Sequence, residues 1–467
     1  MDPKLQKANW IHRLLLKLPN DKQRALFRSL NQICHEERML YEKPSGGHRL
    51  IPLMVRPRLL RPFQLRYCHS VVLELQRALQ TVYRHYYNDA RFREILPFKG
   101  KEKGYFESFY RAQEGRPQTV VSRWDAASDY SGPRWKDYLR FVEWNGVGIG
   151  GIFYSVASET IIRRTLLPFL RELDPSFAFA KGDDARALFL YQIRRHAKKM
   201  GFRLRRMAFV EELRDPGGPL EFEEFQAYFA KRGIDGMVVD PRDLKLRRKK
   251  IYAKGKEIDL IYRDSELEEM IEMEDHGENM QAVWEAFRQN RVLSSLNGEL
   301  DHKSALEILS HETFSKYFTP RQRRIFRNHI EWTRLLRPTY TTDPKGKRID
   351  LYPYTQRHKD HLVLKPNREF GGKGVVFGKD LTQREWEKAL EKPFRQSGEW
   401  VIQYQAEIRK KKFLFFRKGK LEERALSVVC GFIVTPQGIS IVGRASKREV
   451  VNVARQGGLV ATMVYPE

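Results

Sequence analysis

An α+β fold carrying an α/β insertion is what this sequence predicts, on three observations. Apolar residues recur at helical spacing through residues 3 to 96, strands alternate with helices from about 160 to 290, and the last third is dense in short β-branched and aromatic runs. The helical spacing covers 3 to 41 and 64 to 96, as in Val71, Val72, Leu75, Leu79, Val82 and Tyr83, with a proline-marked extended segment from Ile51 to Pro62 between them. Two β-like runs follow at 119 to 125 and 138 to 145, the second ending in a glycine turn. The alternating region reads helix (161 to 172), helix (184 to 200), strand (204 to 210), helix (221 to 232), strand (234 to 239), a basic turn, then strand (257 to 262). Segments 278 to 290 and 302 to 317 read as helices, with Pro320 and Pro338 as punctuation. Strand runs then fall at 362 to 365, 374 to 377, 399 to 405, 425 to 434, 439 to 445 and 459 to 464, and a helix rich in Glu and Lys (382 to 392) crosses between the second and third.

Composition bounds the function. The 467 residues are 41% hydrophobic and 12% aromatic, which excludes a disordered chain and gives room for two to four domains. Lys and Arg outnumber Asp and Glu by 86 to 59, a net charge of +27, so the field of the whole protein attracts anions. Cys34, Cys68 and Cys430 stand far apart without metal-ligand spacing, so no disulfide framework or zinc site is expected, and a reducing cytoplasm is the simplest setting. The first residues hold too short an apolar run for a signal peptide. No window offers the roughly 20 apolar residues of a spanning helix, so no membrane partner is expected.

The segment from Val363 to Gly378 says most about chemistry: an apolar strand delivers Lys365, then comes the turn Phe370-Gly371-Gly372-Lys373-Gly374, then a second apolar strand. Glycines without Cβ let successive N–H groups turn toward an anion, and Lys365 and Lys373 add charge. The common phosphate loop is not matched, because Lys373 is followed by Gly374 instead of Ser or Thr and the loop runs strand to strand. Glycines in a hairpin also serve plain turn chemistry, and the residues of the loop leave both readings open.

Phosphoryl chemistry needs hard oxygen ligands for magnesium. Glu143 and Asn145, at i and i+2 of a strand, project from one face, while Trp144 points the other way. Asp125 ends a neighbouring strand and offers a second carboxylate, with Arg123 on the same face by the same period. The plainer alternative is a set of solvated or salt-bridged strand residues.

Together, Arg123-Trp124-Asp125, Glu143-Trp144-Asn145, Lys365-Pro366 with its Gly-Gly-Lys-Gly loop, and the ending from Gly443-Arg444-Ala445-Ser446 through Asn452 to Gly457-Gly458 resemble the circularly permuted ATP-grasp proteins, whose best-known members are the glutathionylspermidine synthetases. The resemblance runs from about residue 50 to the end. It implies an ATP-grasp fold with an inserted α/β domain similar to a pre-ATP-grasp domain. The parts would be N-terminal helices with metal-binding strands (1–160), the α/β part (161–300) and the nucleotide-binding part (301–467). It further implies an ATP-dependent carbon–nitrogen ligase that joins a carboxylate to an amine through an acyl phosphate. Asp125, Glu143 and Asn145 would hold Mg2+, and Arg123 would contact the transferred phosphoryl group or the acyl phosphate. Lys365, and less directly Lys303, would bind ATP phosphates under the Gly371, Gly372, Lys373 and Gly374 loop. Gln403 would contact the nucleotide from the adenine hinge, and Arg444 would be a late active-site arginine with Asn452 near it. The family's loop is of Gly-Arg-Glu-Gly type and some members add an amidase domain; this chain departs from the first and gives no sign of the second.

Two rivals stand beside this reading. Gly146-Val147-Gly148-Ile149-Gly150-Gly151 satisfies the dinucleotide fingerprint of an NAD enzyme, but Glu143 and Asn145 would put polar groups in a strand that should be buried on both faces. A catalytically degenerate ATP-grasp protein binding nucleic acid or a partner is the other, drawing on Lys245 to Lys250, Arg409 to Lys412, and Arg203 with Arg205 and Arg206. No nucleic-acid motif accompanies those clusters, so a nucleic-acid partner is not expected. Neither the identity of carboxylate and amine nor an oligomeric state is legible.

Overall fold

The structure, a computed structural model, describes residues 3–43, 46–214, 218–417, 419–447 and 457–466. Its centre is an antiparallel sheet in the order Gly458–Val460, Gly438–Ser446, Lys420–Thr435, Arg123–Ala127, Arg140–Asn145, with Lys411–Arg417 pairing the outer half of Lys420–Thr435. Strands from the first and last thirds of the chain therefore share one ladder, in which Gly431 pairs Asp125 and Phe432 pairs Trp124. The two-residue period sorts the sheet. Trp124, Phe141, Phe432 and Ile441 turn into a core with the helix Pro62–His85, while Ile433 and Val442 turn into a second core with the helices Ile152–Leu173 and Ala185–Lys199.

The α/β expectation for the middle of the chain is met by a four-stranded parallel sheet in the order Val292–Leu293, Leu260–Arg263, Arg206–Val210, Asp235–Val239, with Phe222–Ala230, Leu267–Asp275 and Gln281–Arg288 as its helices. A third sheet runs Thr333–Leu335, Trp400–Tyr404, Leu362–Pro366, Val376–Phe377, and packs its own core of Trp332, Leu351, Leu364, Trp386 and Ile402 under the helices Leu351–Arg357 and Gln383–Arg395. The last of these begins at a capping box between Thr382 and Glu385, close to the expected boundary.

Several boundaries differ for local reasons. The helix expected from 161 begins at Ile152, straight after the glycine turn. The strand expected over 257–262 breaks at Asp259, whose carboxylate accepts from Arg205 N (2.7 Å) and Arg206 N (2.8 Å); the halves join different sheets. The basic turn is a three-stranded meander with Arg248, Lys249 and Lys254 at positive φ. The helix expected over 302–317 shrinks to Ala305–Ser310 and a 3-10 turn, because Lys303 N and Ser304 N are held by the backbone carbonyl and side chain of Asn367 (both 2.9 Å). The closing strand splits at Ala461 into Gly458–Val460, antiparallel to 443–445, and Thr462–Val464, parallel to Arg58–Leu60. Helix Gly100–Ala112 and strand Lys411–Arg417 went unforeseen.

Candidate functional site

The expected residues converge on one cleft of about 560 Å3 lined by Arg123, Asp125, Glu143, Asn145, Lys303, Lys365, Gly371, Gly372, Gln403 and Arg444. Register explains half of this. Asp125 pairs Glu143 and Arg123 pairs Asn145 across the two neighbouring strands, so all four project from one face, and Arg444, two strands from Asp125, joins them through Val429, which pairs Arg444 on one side and Ala127 on the other. Gly431 lies beneath: a Cβ there would come within 2.5 Å of Arg123 Cδ, so only glycine lets that side chain lie flat along the sheet.

Asp125 is buried and fully engaged. Arg123 donates to it through Nε (2.8 Å) and Nη2 (3.0 Å), Arg444 through Nη2 (2.6 Å), and Asn145 Nδ2 lies at 3.4 Å. Burial alone would raise its pKa, but Arg123 and Arg444 overcome that and hold it at about 2. Glu143 meets Lys303 Nζ at 3.0 Å, and the same ammonium donates to the carbonyl of Glu369 at the root of the glycine loop.

Lys365 enters from the third sheet. Its Nζ donates to Gln403 Oε1 at 2.6 Å, while Gln403 Nε2 donates to Val142 O (3.0 Å) and Thr333 Oγ1 (2.8 Å), which fixes the amide's orientation and aims the lysine. Burial lowers the Lys365 pKa to about 8, reinforced by Lys303 and opposed by Glu143. Gln403 thus reaches the cleft as the support of a lysine.

The loop is the strand-to-strand hairpin that the sequence predicts, with Val363 opposite Phe377 and Leu364 opposite Val376. Gly371, Gly372 and Gly374 all have positive φ (67°, 72° and 72°). Gly371 and Gly372 line the cleft. Gly374 packs instead on Pro366, and Lys373 turns outward to Glu369 at 3.3 Å, so these two do not face the space that the others share. Asn452 lies outside the described residues.

Sequence reasoning missed a set of acids, the acidic wall of the same cleft: Glu42, Glu211, Glu223, Glu266, Glu269 and Asp301 line it. Burial raises the pKa of Glu211 to about 8, with Glu223 and Asp264 adding to it, and raises Asp301 to about 6 against the N–H groups of Gly146 (2.8 Å) and Val147 (3.3 Å). These acids are scattered from 42 to 301 with no spacing to mark them. Arg368 was within reach of sequence reasoning, two residues past Pro366; it binds Glu102 through Nη1 (2.6 and 2.7 Å) and lies 3.4 Å from Glu266, tying the hairpin to the acidic wall.

The glycine turn at 146–151 has a structural purpose. A Cβ on Gly146 would meet Gly298 O at 2.5 Å, and the N–H groups of Gly151, Phe153 and Tyr154 all donate to Glu221 (2.6, 2.8 and 3.1 Å). The helix N-terminus that a dinucleotide would need is filled by the protein's own carboxylate, and the preceding strand belongs to an antiparallel sheet.

For magnesium, no group of three or more His, Cys, Asp or Glu side chains stands ready among the described residues. Magnesium bound with nucleotide takes one or two carboxylates and completes its octahedron with phosphate oxygens and water. Glu143, with Asn145 alongside, offers one such carboxylate, and Asp125 across the adjacent strand supplies a second once it gives up a contact to Arg123 or Arg444.

Fold and cleft define a mixed α/β protein with a cavity lined by both cations and acids and edged by a glycine hairpin. Among solved structures it is similar over 96% of its length to a glutathione synthetase-like effector of Globodera pallida in its apo form, covering 98% of that chain at a TM-score of 0.60 and 10% identity; the two share a fold. Weaker likenesses, which carry no argument, are to a putative gamma-glutamylcysteine synthetase of Methylobacillus flagellatus KT (TM-score 0.37, 10% identity, 84% of this chain and 87% of that one) and to the ATP-grasp ligase PsnB complexed with precursor peptide PsnA2 and AMPPNP (TM-score 0.25, 11% identity, 53% and 88%). No protein-family model and no curated protein matches the sequence.

Proposed function

We propose that the chain is an ATP-dependent carboxylate–amine ligase of circularly permuted ATP-grasp type. The observation that carries this reading is the meeting of Asp125, Glu143 and Asn145, from the first third of the chain, with Lys365, Gly371 and Gly372, from the last, around one cleft. On this reading 1–160 and 301–467 form the nucleotide and metal site, and 161–300 is the inserted α/β part. The fold shared with a glutathione synthetase-like effector and the ATP-grasp resemblance of the motifs support it. Three free, buried cysteines suit a reducing cytoplasm.

Lys365 and Lys303 supply positive charge to the ATP phosphates, and the Gly371-Gly372 turn supplies backbone close enough to wrap them. Mg2+, held by Asp125, Glu143 and Asn145, would offset phosphate charge. Arg123 and Arg444 orient the phosphoryl group as a substrate carboxylate attacks the γ-phosphorus, forming an acyl phosphate and releasing ADP. The amine then attacks the acyl carbon and phosphate leaves. The carboxyls here offer hydrogen-bond acceptors to the amine, and Glu211, which a pKa of about 8 keeps largely protonated at neutral pH, serves as the base that takes the amine's extra proton only in its ionised form. The net positive charge of the chain disfavours a cationic substrate at long range, while the acids lining the cleft give an amine local acceptors.

The test is ADP release by the purified protein across a matrix of carboxylates and amines, with mass detection of the condensed product. Release that depends on both substrates and is lost in Glu143→Gln supports the ligase. Release of ADP without a condensed product, or none with any pair, counts against it.

A further inference from the structure

A second, separate pocket of about 370 Å3 lies where the extended segment before Arg58–Leu60 meets the start of strand Lys411–Arg417, and it shares no lining residue with the cleft. Arg56, Arg58, Lys410, Lys411 and Lys412 line it against a single carboxylate, Asp129. The cations differ in how they are satisfied. Arg58 donates to Ser128 O (2.6 Å), Lys411 pairs Asp129 (2.9 Å) and Lys412 pairs Glu423 (2.8 Å). Arg56 has no such partner: its Nε is buried without an acceptor and no carboxylate pairs with it among the described residues. Its guanidinium lies over the ring of Phe413 at 4.9 Å, which removes water from one face. Glu423 acts on it only from a distance and is itself engaged by His12 Nε2 at 2.5 Å. Burial, with Arg58 nearby, lowers the Arg56 pKa to about 10 against partial opposition from Glu423.

A guanidinium held half-buried without an acceptor is costly unless something accepts from it, and its planar fork matches oxyanions in two-point fashion. A lone carboxylate would leave most of the surrounding charge unmatched. We propose that this pocket binds a dianionic phosphoryl group, either inorganic phosphate or the phosphate of a small monoester, with Arg56 as the principal ligand and Lys410 and Lys411 at its edge. This site does not depend on the ligase reading.

Calorimetric titration with inorganic phosphate and, separately, with glycerol phosphate at ionic strength matched by potassium chloride tests it. Binding of either is expected in the wild-type protein and in Lys365→Met, with affinity reduced about tenfold or more in Arg56→Met, as expected for loss of a charge-assisted contact. Binding of the monoester alone would assign the site to an organic phosphate. The exposed Lys410→Gln serves if Arg56→Met does not fold, and is expected to weaken binding and flatten its salt dependence. No binding by the wild-type protein, unchanged binding in both pocket variants, or loss in Lys365→Met instead, would overturn the proposal.

Discussion

Lys365 and Asp125 sit in the same cleft, and burial acts on them with opposite outcomes. Lys365 is half-buried beside a neutral amide, and its pKa falls to about 8. Affinity for a non-hydrolysable ATP analogue is therefore expected to fall as pH rises through about 8, where the free lysine loses its proton, and Lys365→Met is expected to weaken it about tenfold or more and flatten that profile. Titrations across pH check both. Asp125 keeps its charge because two guanidiniums surround it, so it supports the fold as well as any metal. Asp125→Asn strips both arginines of their counter-charge in a buried setting and is expected to cost about 3–5 kcal/mol in chemical denaturation. Glu143→Gln, partly exposed and ion-paired with Lys303, is expected to leave stability nearly intact and is the cleaner probe of metal binding.

At the scale of elements, two glycine turns of similar composition do different work. The turn at 146–151 lets a strand pass within contact of Gly298 and hands the chain to a helix whose first N–H groups are capped by Glu221. Gly146→Ala is expected to destabilise by about 3 kcal/mol, since backbone meets backbone there, and Glu221→Ala by about 2 kcal/mol through loss of the cap; unfolding curves measure each. The hairpin at 371–374 has no such internal filling at Gly371 and Gly372, which face the cleft. The spacing G-x-G-x-x-G could not tell these uses apart, because the filling carboxylate of Glu221 comes from 70 residues away in sequence.

For the whole molecule, buried carboxyls govern the response to pH. Burial raises Glu102, Glu159 and Glu221 to about 7, Asp301 to about 6 and Glu211 to about 8. The native state therefore keeps protons that the unfolded chain releases above about pH 4.5, so stability falls as pH rises toward about 8. The ligand-free protein is expected to melt at a higher temperature near about pH 5.5 than near about pH 8, as scanning calorimetry would record. The lowered Asp125 does not interfere in that window, because its contribution is lost only as pH drops toward 2. On the ligase reading, ATP with magnesium at a hundred times its Kd is expected to add about 2.7 kcal/mol, and NAD to add nothing.

What could be read before any coordinates were the features that depend on neighbours in sequence: the lysine strand, the hairpin at 371–374, the shared face of Glu143 and Asn145, the capped helix after Thr382 and the strand-rich last third. Period and turn chemistry act over a few residues, so a linear pattern carries them. The pairing of Asp125 with Gly431, the clamp of Arg123 and Arg444, the acidic wall gathered from residues 42 to 301, and the orphaned Arg56 arise from contacts between distant segments. Such contacts leave no periodic mark, because an apolar face specifies that it must be covered and not by which strand, and a charge acquires its environment only once the chain has closed around it.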